Sequence, residues 1–291
     1  MNKLLQKFVN LDRRIIYILV SLAVVIPLIY PLYIKINITP TVQNVYDTIE
    51  NLPPRSVIFL ALDFDPASKP ELYPMAEAVL RHAFKKNHRV IGMTFWLNGI
   101  GLGDKVFADT AAEVSKETGR EIVSGKDYVY LGWQIGDVNL VITMNDPDIG
   151  IKGTWPKDNY GRLTANMPAL DGVNTLKDIN YLVELAAGSS IGAWYFYGKA
   201  KAKFLMGAGC TGVMASSYYN LMKIGWINGF MGGLRGAAEY ETLLKKAGKA
   251  TGGMDAQSVT HMLIILSILL SNIAYFVNRS KGNQGKGSSN G

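Results

Sequence analysis

Cysteine and histidine are nearly missing from this chain: Cys210 stands alone, and His82, His88 and His261 are the only histidines in 291 residues. A single thiol excludes an intrachain disulfide framework and a Cys-rich zinc site. No HExxH pair, EF-hand loop or Gly-x-Ser-x-Gly elbow occurs, so the common local signatures of zinc proteases, calcium sensors and serine hydrolases are absent. No repeat of 20–50 residues marks a solenoid or propeller. Apolar residues are plentiful instead, at 48% of the chain, with 30 glycines. That content excludes a disordered polymer, and the length is ample for a buried core.

Charge is scarce where a nucleic-acid protein would need it. The net charge is +7. Residues 36–258 hold 22 basic and 22 acidic side chains, and the surplus comes from Lys3, Lys7, Arg13, Arg14, Lys35, Arg279, Lys281 and Lys286, opposed only by Asp12. A nucleic-acid protein concentrates its excess on a face of the folded domain. A neutral middle with basic ends argues against nucleic acid as a partner.

The basic ends flank two uncharged runs, 15–34 (IIYILVSLAVVIPLIYPLYI) and 259–278 (VTHMLIILSILLSNIAYFVN). As helices, 20 residues reach about 30 Å, the thickness of a hydrocarbon core. Tyr30, Tyr33, Tyr275 and Phe276 lie where interfacial aromatics are expected. The first run lacks the small-residue site of a cleavable signal and reads as an uncleaved anchor. Ser267, Ser271 and Asn272 are candidates for helix–helix hydrogen bonds. Positive residues stay cytoplasmic, so both termini are expected inside and the middle outside, in a two-pass arrangement in the cytoplasmic membrane. The expected organisation is a cytoplasmic segment 1–14, a span 15–34, a linker 35–54, an extracytoplasmic domain 55–250, a span 259–278 and a disordered tail 279–291.

Within the domain, apolar runs at 56–62, 89–96, 128–133, 138–144, 179–185 and 210–215 read as strands. Helical spacing is seen at 70–87, 104–118 and 191–201, and a long helix is expected over 216–246. Strands alternating with helices predict an α/β fold, a mainly parallel sheet with helices on both faces, flanked by the two transmembrane helices.

Two acidic pairs follow apolar runs: Asp63 and Asp65 after the first, Asp146 and Asp148 after VNLVITM. Ligands of open α/β sheets bind outside the carboxyl ends of strands. If these ends adjoin, four hard oxygen donors would suit Mg²⁺ or Ca²⁺, and the metal would clamp a phosphoryl group. The apolar-Asp-x-Asp pattern at 63–65 resembles the first motif of haloacid-dehalogenase-type phosphatases over about ten residues. That resemblance implies Asp63 as nucleophile. Pro66-Ala67-Ser68 stands where the family has Thr or Val soon after the second Asp, and no Lys motif lies between the two pairs. Asp and Pro also end strands and begin turns.

Gly99, Gly101, Gly103 and Asp104 occupy a strand-to-helix junction, the place of a phosphate loop, but the spacing fits neither the dinucleotide fingerprint nor Walker A. Asp104 reads as an N-cap. In the expected last helix, Gly225, Gly229 and Gly233 recur every four residues, with Gly232 and Gly236 beside them. Such a face packs closely, on its own sheet or on another copy. Alternatively the stretch 206–233, whose only charge is Lys223, lies on a membrane surface. Cys210, among small residues, reads as a buried packing group.

With no complete catalytic signature, the expectation is a non-enzymatic scaffold or partner-binding subunit of a cell-envelope complex. It would contact the lipid bilayer, oligomerise or bind other membrane proteins, and need no cofactor. The alternatives are a membrane-tethered metal-dependent hydrolase using the four aspartates, or a ligand-sensing domain at the same strand ends.

Overall fold

The computed structural model describes residues 12–286. Expectations for 1–11 and 287–291, Lys3 and Lys7 among them, fall outside the described residues. The chain divides into two compact units, 36–251 and 12–35 with 252–286.

The larger unit opens with α2 (Pro40–Asn51), where a linker was expected; α1 belongs to the other unit. Val42, Val45 and Ile49 are buried at helical spacing, which makes this segment part of the domain. β1 (Val57–Asp63) follows, then α3 (Lys69–Lys85), β2 (Arg89–Thr94), α4 (Ile100–Thr118) and β3 (Tyr128–Trp133). The strands are parallel and run in the order β3-β2-β1-β4-β5-β6, with β4 Tyr181–Ala186, β5 Leu205–Cys210 and β6 Gly229–Gly232. Every residue of β1 is buried, as its unbroken apolar run requires of a strand covered on both faces. Gly207 and Gly209 in β5 are small for a packing reason. A Cβ at Gly207 would lie 2.0 Å from the Tyr181 hydroxyl, and one at Gly209 2.7 Å from the Met75 sulfur.

Three expectations are corrected here. VNLVITM is helix α5 (Val138–Met144), not a strand, and a short helix α6 (Gly150–Thr154) follows. The fifth strand lies five residues earlier than the 210–215 run. The long helix of 216–246 is α9 (Ala215–Lys223), then β6, then α10 (Gly233–Leu243). The crossover from β4 to β5 is α7 (Ile191–Ala193), a π-helical turn (Trp194–Lys199) and α8 (Ala200–Ala202). Trp194 anchors that turn in the core between Phe59 and Phe95, with ring centroids 5.3 Å from each.

The smaller unit comprises α1 (Arg13–Ile29) and α11 (Lys249–Lys286), whose first three residues belong to the larger unit. α11 contains a stretch, Lys249–Phe276, long and apolar enough to cross a membrane. α1 is apolar but stops at Ile29, and its 17 residues reach about 26 Å, short of a full hydrocarbon core. The physical reason is Pro31, which lacks an N–H and disfavours a helical residue before it. Beyond it, the N–H groups of Leu32, Tyr33 and Ile34 all donate to the buried Asp255 carboxylate of α11, at 2.9, 2.9 and 3.0 Å. α11 continues to Lys286, where a disordered tail was expected from 279.

Candidate functional site

In the strand order 3-2-1-4-5-6, the chain reverses its direction of winding between β1 and β4. The crevice at the carboxyl end of that pair is where open α/β sheets place ligands. Asp63 is the last residue of β1. Glu184, the lone acid inside the apolar strand β4, pairs in register with Ala61. Ala61 and Asp63 are two residues apart on one strand, so Asp63 and Glu184 share a face of the sheet. Both are completely buried.

Two isolated charges would not survive there, and the hydrogen bonds show how the pair is accommodated. Asp63 Oδ1 accepts from the Phe95 N–H at 2.7 Å and more distantly from the Thr94 hydroxyl. Glu184 Oε1 accepts from the Ser190 hydroxyl. Asp63 Oδ2 and Glu184 Oε2 are left with no other partner. A single proton between these two oxygens satisfies both. Burial pushes the Asp63 carboxyl up to about 6, against the pull of its bonds to Glu184 and Phe95. Burial, then the Asp63 charge, raises Glu184 well above the usual range. The pair is therefore a carboxyl–carboxylate dyad that shares one proton. The Trp194 indole N–H faces Glu184 without completing a well-formed bond. The dyad lies beneath the surface rather than in an open crevice.

The other expected acids do not join it. Asp65 Oδ1 accepts from the Ser68 hydroxyl at 2.7 Å and from the N–H groups of Ser68 and Ala67, which closes a turn and lowers its pKa. Asp146 and Asp148 follow helix α5 instead of a strand, and Asp146 Oδ1 accepts from Asp148 N. Among the described residues, no group of three or more His, Cys, Asp or Glu side chains could hold a metal ion.

The glycine-rich junction is not a loop. Leu97–Gly99 is a 3-10 turn, and Gly101, Gly103 and Asp104 lie inside α4. Gly99 is pressed against the end of β1, where a Cβ would come within 2.8 Å of Thr94 Oγ1 and 3.0 Å of the Phe64 carbonyl oxygen. Gly103 makes room for the Tyr130 ring, and the Asp104 carboxylate accepts from the Tyr160 hydroxyl. The later glycines are dispersed. Gly225 sits in a turn at φ +77°, Gly229 and Gly232 bound β6, Gly233 starts α10 at φ +60°, and Gly236 lies within α10. They share no helical face. A Cβ at Gly229 would stand 2.6 Å from the Thr41 carbonyl oxygen, and one at Gly236 2.7 Å from the Met231 carbonyl carbon. These close approaches are made within the chain. Cys210 is buried, and burial pushes its thiol up to about 12, which suits a packing group.

The carboxyl edge presents large apolar side chains to solvent beside the polar Asn98, Gln134 and Asp137. The loops after β2, β3 and β5 present Leu97, Ile135 and Val213, which are 59%, 80% and 87% exposed. Beside β3 lies an open cleft of about 490 Å³ walled by Ile100, Leu131, Trp133, Trp155 and Pro156, with Gln134 and Lys157 also lining it. The buried Trp155 indole N–H has no acceptor among the described residues. Of the dyad and the exposed residues of the carboxyl edge, the sequence singled out Asp63 alone. Glu184 carried a signal, a single acid in an otherwise apolar strand. No protein-family model, curated protein or solved structure matches this chain.

Proposed function

We propose that this protein is a membrane-anchored, non-enzymatic partner-binding domain that recognises another protein of the cell envelope through the carboxyl-edge loops of its sheet. The observation that carries this reading is the combination of a sealed carboxylate dyad with three outward apolar side chains on the loops after β2, β3 and β5, all at the same edge. β3 and β5 are four strand spacings apart, so Leu97, Ile135 and Val213 span about 19 Å. That breadth suits a protein surface better than a small molecule. In this reading α11 crosses the cytoplasmic membrane and α1 with its extended continuation crosses beside it. Both termini are cytoplasmic, in keeping with the basic residues at the two ends of the sequence.

The test is the double variant Ile135→Asp, Val213→Asp, compared with wild type after gentle solubilisation of membranes. Native electrophoresis should show wild type in a larger assembly and the variant released from it, with thermal unfolding unchanged. An assembly of equal size in both rejects the reading.

A second reading is favoured by the open cleft beside β3, whose volume falls in the range of small-ligand sites. An apolar ligand lodged against Trp133 and Trp155 makes the domain a sensor. Loss of ligand-induced tryptophan quenching in Trp155→Phe would support this reading.

A further inference from the structure

The domain is neutral as a whole, yet one long stretch of it carries charge of a single sign. Between Glu184 and Glu239 there is no acid, while Lys199, Lys201, Lys203, Lys223 and Arg235 occur there. Arg235 is paired with Glu239. The four lysines gather where the π-helical turn and α8 meet the loop that follows α9. Lys199 Nζ donates to the carbonyl oxygens of Gly225 and Trp226, at 3.2 and 2.7 Å, and ties the two segments together. Tyr195 stacks on Trp226 with centroids 3.9 Å apart, and Phe196 meets the same indole edge-on at 4.7 Å. Phe196, Tyr197, Leu205 and Ile224 are exposed around this cluster, as are Lys201, Lys203 and Lys223.

The π-helical turn holds these aromatics at the surface. Trp194 and Gly198 of that turn are buried, so the residues between them face outward. Large aromatics beside long-stemmed lysines are the composition of a headgroup-level surface, where ring bodies sit among lipid and ammonium groups reach phosphate.

The patch lies at the amino edge of the sheet, for α8 ends just before β5 begins and Trp226 just precedes β6. The domain's connections lie toward that same edge. α10 starts at the carboxyl end of β6 and runs back along the sheet. On its later half, Glu239 accepts from Thr39, and Glu241 accepts from the N–H groups of Gly248, Ala250 and Thr251. The larger unit ends here, at Thr251. A short tether raises the effective concentration of a bilayer at this surface.

We propose that Tyr195, Phe196 and Trp226, with Lys199, Lys201, Lys203 and Lys223, form a docking surface for a bilayer bearing anionic lipid headgroups. Charge complementarity selects this occupant: four ammonium groups meet a negative leaflet surface. The acids that border the patch are Asp146 and Asp148 beyond α5 and Asp178 below α8. Asp146 and Asp178 are engaged with backbone N–H groups of their own turns. This inference rests on the anchoring in the proposed function, though not on its partner.

The full chain is reconstituted into vesicles of phosphatidylcholine alone and of phosphatidylcholine with phosphatidylglycerol. Flotation with either vesicle reports anchoring by itself, and a chain that floats with neither overturns both readings. In the floated protein, acylation of lysines by an amine-reactive reagent is read by mass spectrometry. Labelling of Lys201, Lys203 and Lys223 should be at least about threefold slower in the anionic vesicles, with the exposed Lys69, at the opposite, carboxyl edge, as an unchanged internal reference. Brominated lipid should quench a fluorescence component that Trp226→Phe removes. The variant Lys201→Glu, Lys203→Glu, Lys223→Glu spares the structural Lys199 and should lose the quenching while still floating. Equal labelling in both vesicle types and no quenching assigned to Trp226 would overturn the proposal. So would protection that appears only when envelope proteins are added, which would make the patch a protein interface.

Discussion

A carboxyl group buried without a positive neighbour is costly when ionised, and Asp63 illustrates the consequence. Its pKa is pushed up to about 6 from an ordinary value near 3.8. A raised carboxyl binds its proton more tightly in the folded than in the unfolded chain. The stability it contributes is thus complete below about pH 4 and is lost as pH rises through about 6. Asp63→Asn keeps an oxygen for the Phe95 N–H, offers Glu184 an amide donor and cannot ionise. Thermal unfolding should show the variant gaining on wild type as pH rises from 4 to 7, with little difference at pH 4. A pH-independent difference would contradict the dyad. Comparing variant with wild type cancels His82, whose pKa burial lowers to about 4 and whose effect has the opposite sign. His82 is neutral at pH 7, placing its ring nitrogens 2.8 Å from the Tyr240 hydroxyl and from Glu50. Asp63 was visible in the sequence as an acid ending an apolar run. Its partner was not, because nothing local to YLVELA says which neighbouring strand supplies a second carboxyl.

At the scale of elements, the legible segments were those whose pattern admits one structure. The β1 run, the amphipathic α3 and the β2 run emerge close to where they were expected. VNLVITM did not, since a short run with five apolar residues in seven fits a buried strand or a buried helix equally by periodicity. The stretch 206–246 failed for a different reason. Its glycines recur at helical spacing, but they serve a short edge strand and the turns around it. Gly229 shows what such a glycine does. It lets the backbone of α2 cross β6, and a Cβ would stand 2.9 Å from the Val45 nitrogen as well as close to the Thr41 carbonyl. Backbone cannot give way as a side chain can. Gly229→Ala should therefore lower domain stability by about 1–3 kcal/mol in denaturant unfolding. An unchanged midpoint would show that α2 is not seated on β6. Asp255 was also unforeseen, being a single acid ahead of an apolar run, yet it collects three backbone N–H groups from the segment after α1.

For the whole molecule, composition and periodicity gave the α/β class and pointed to the ends of the chain as the apolar, basic part. They left the strand order open, because parallel pairing between distant segments is decided by packing and not by local pattern. The order places the winding reversal at the dyad and leaves apolar loop tips along the carboxyl edge. It also places the lysine–aromatic patch at the amino edge. Partner recognition by the first edge and lipid contact by the second both presuppose an exported domain on a membrane anchor. That premise is tested most directly by Asp109→Cys in intact spheroplasts with a membrane-impermeant maleimide. Asp109 lies midway along α4, away from both edges, with its side chain half exposed, and the native Cys210 is buried with its thiol pKa near 12, so background labelling is low. An exported domain is labelled in intact cells to the same extent as after lysis. Labelling that appears only once the membrane is opened would place the domain in the cytoplasm and contradict the proposal.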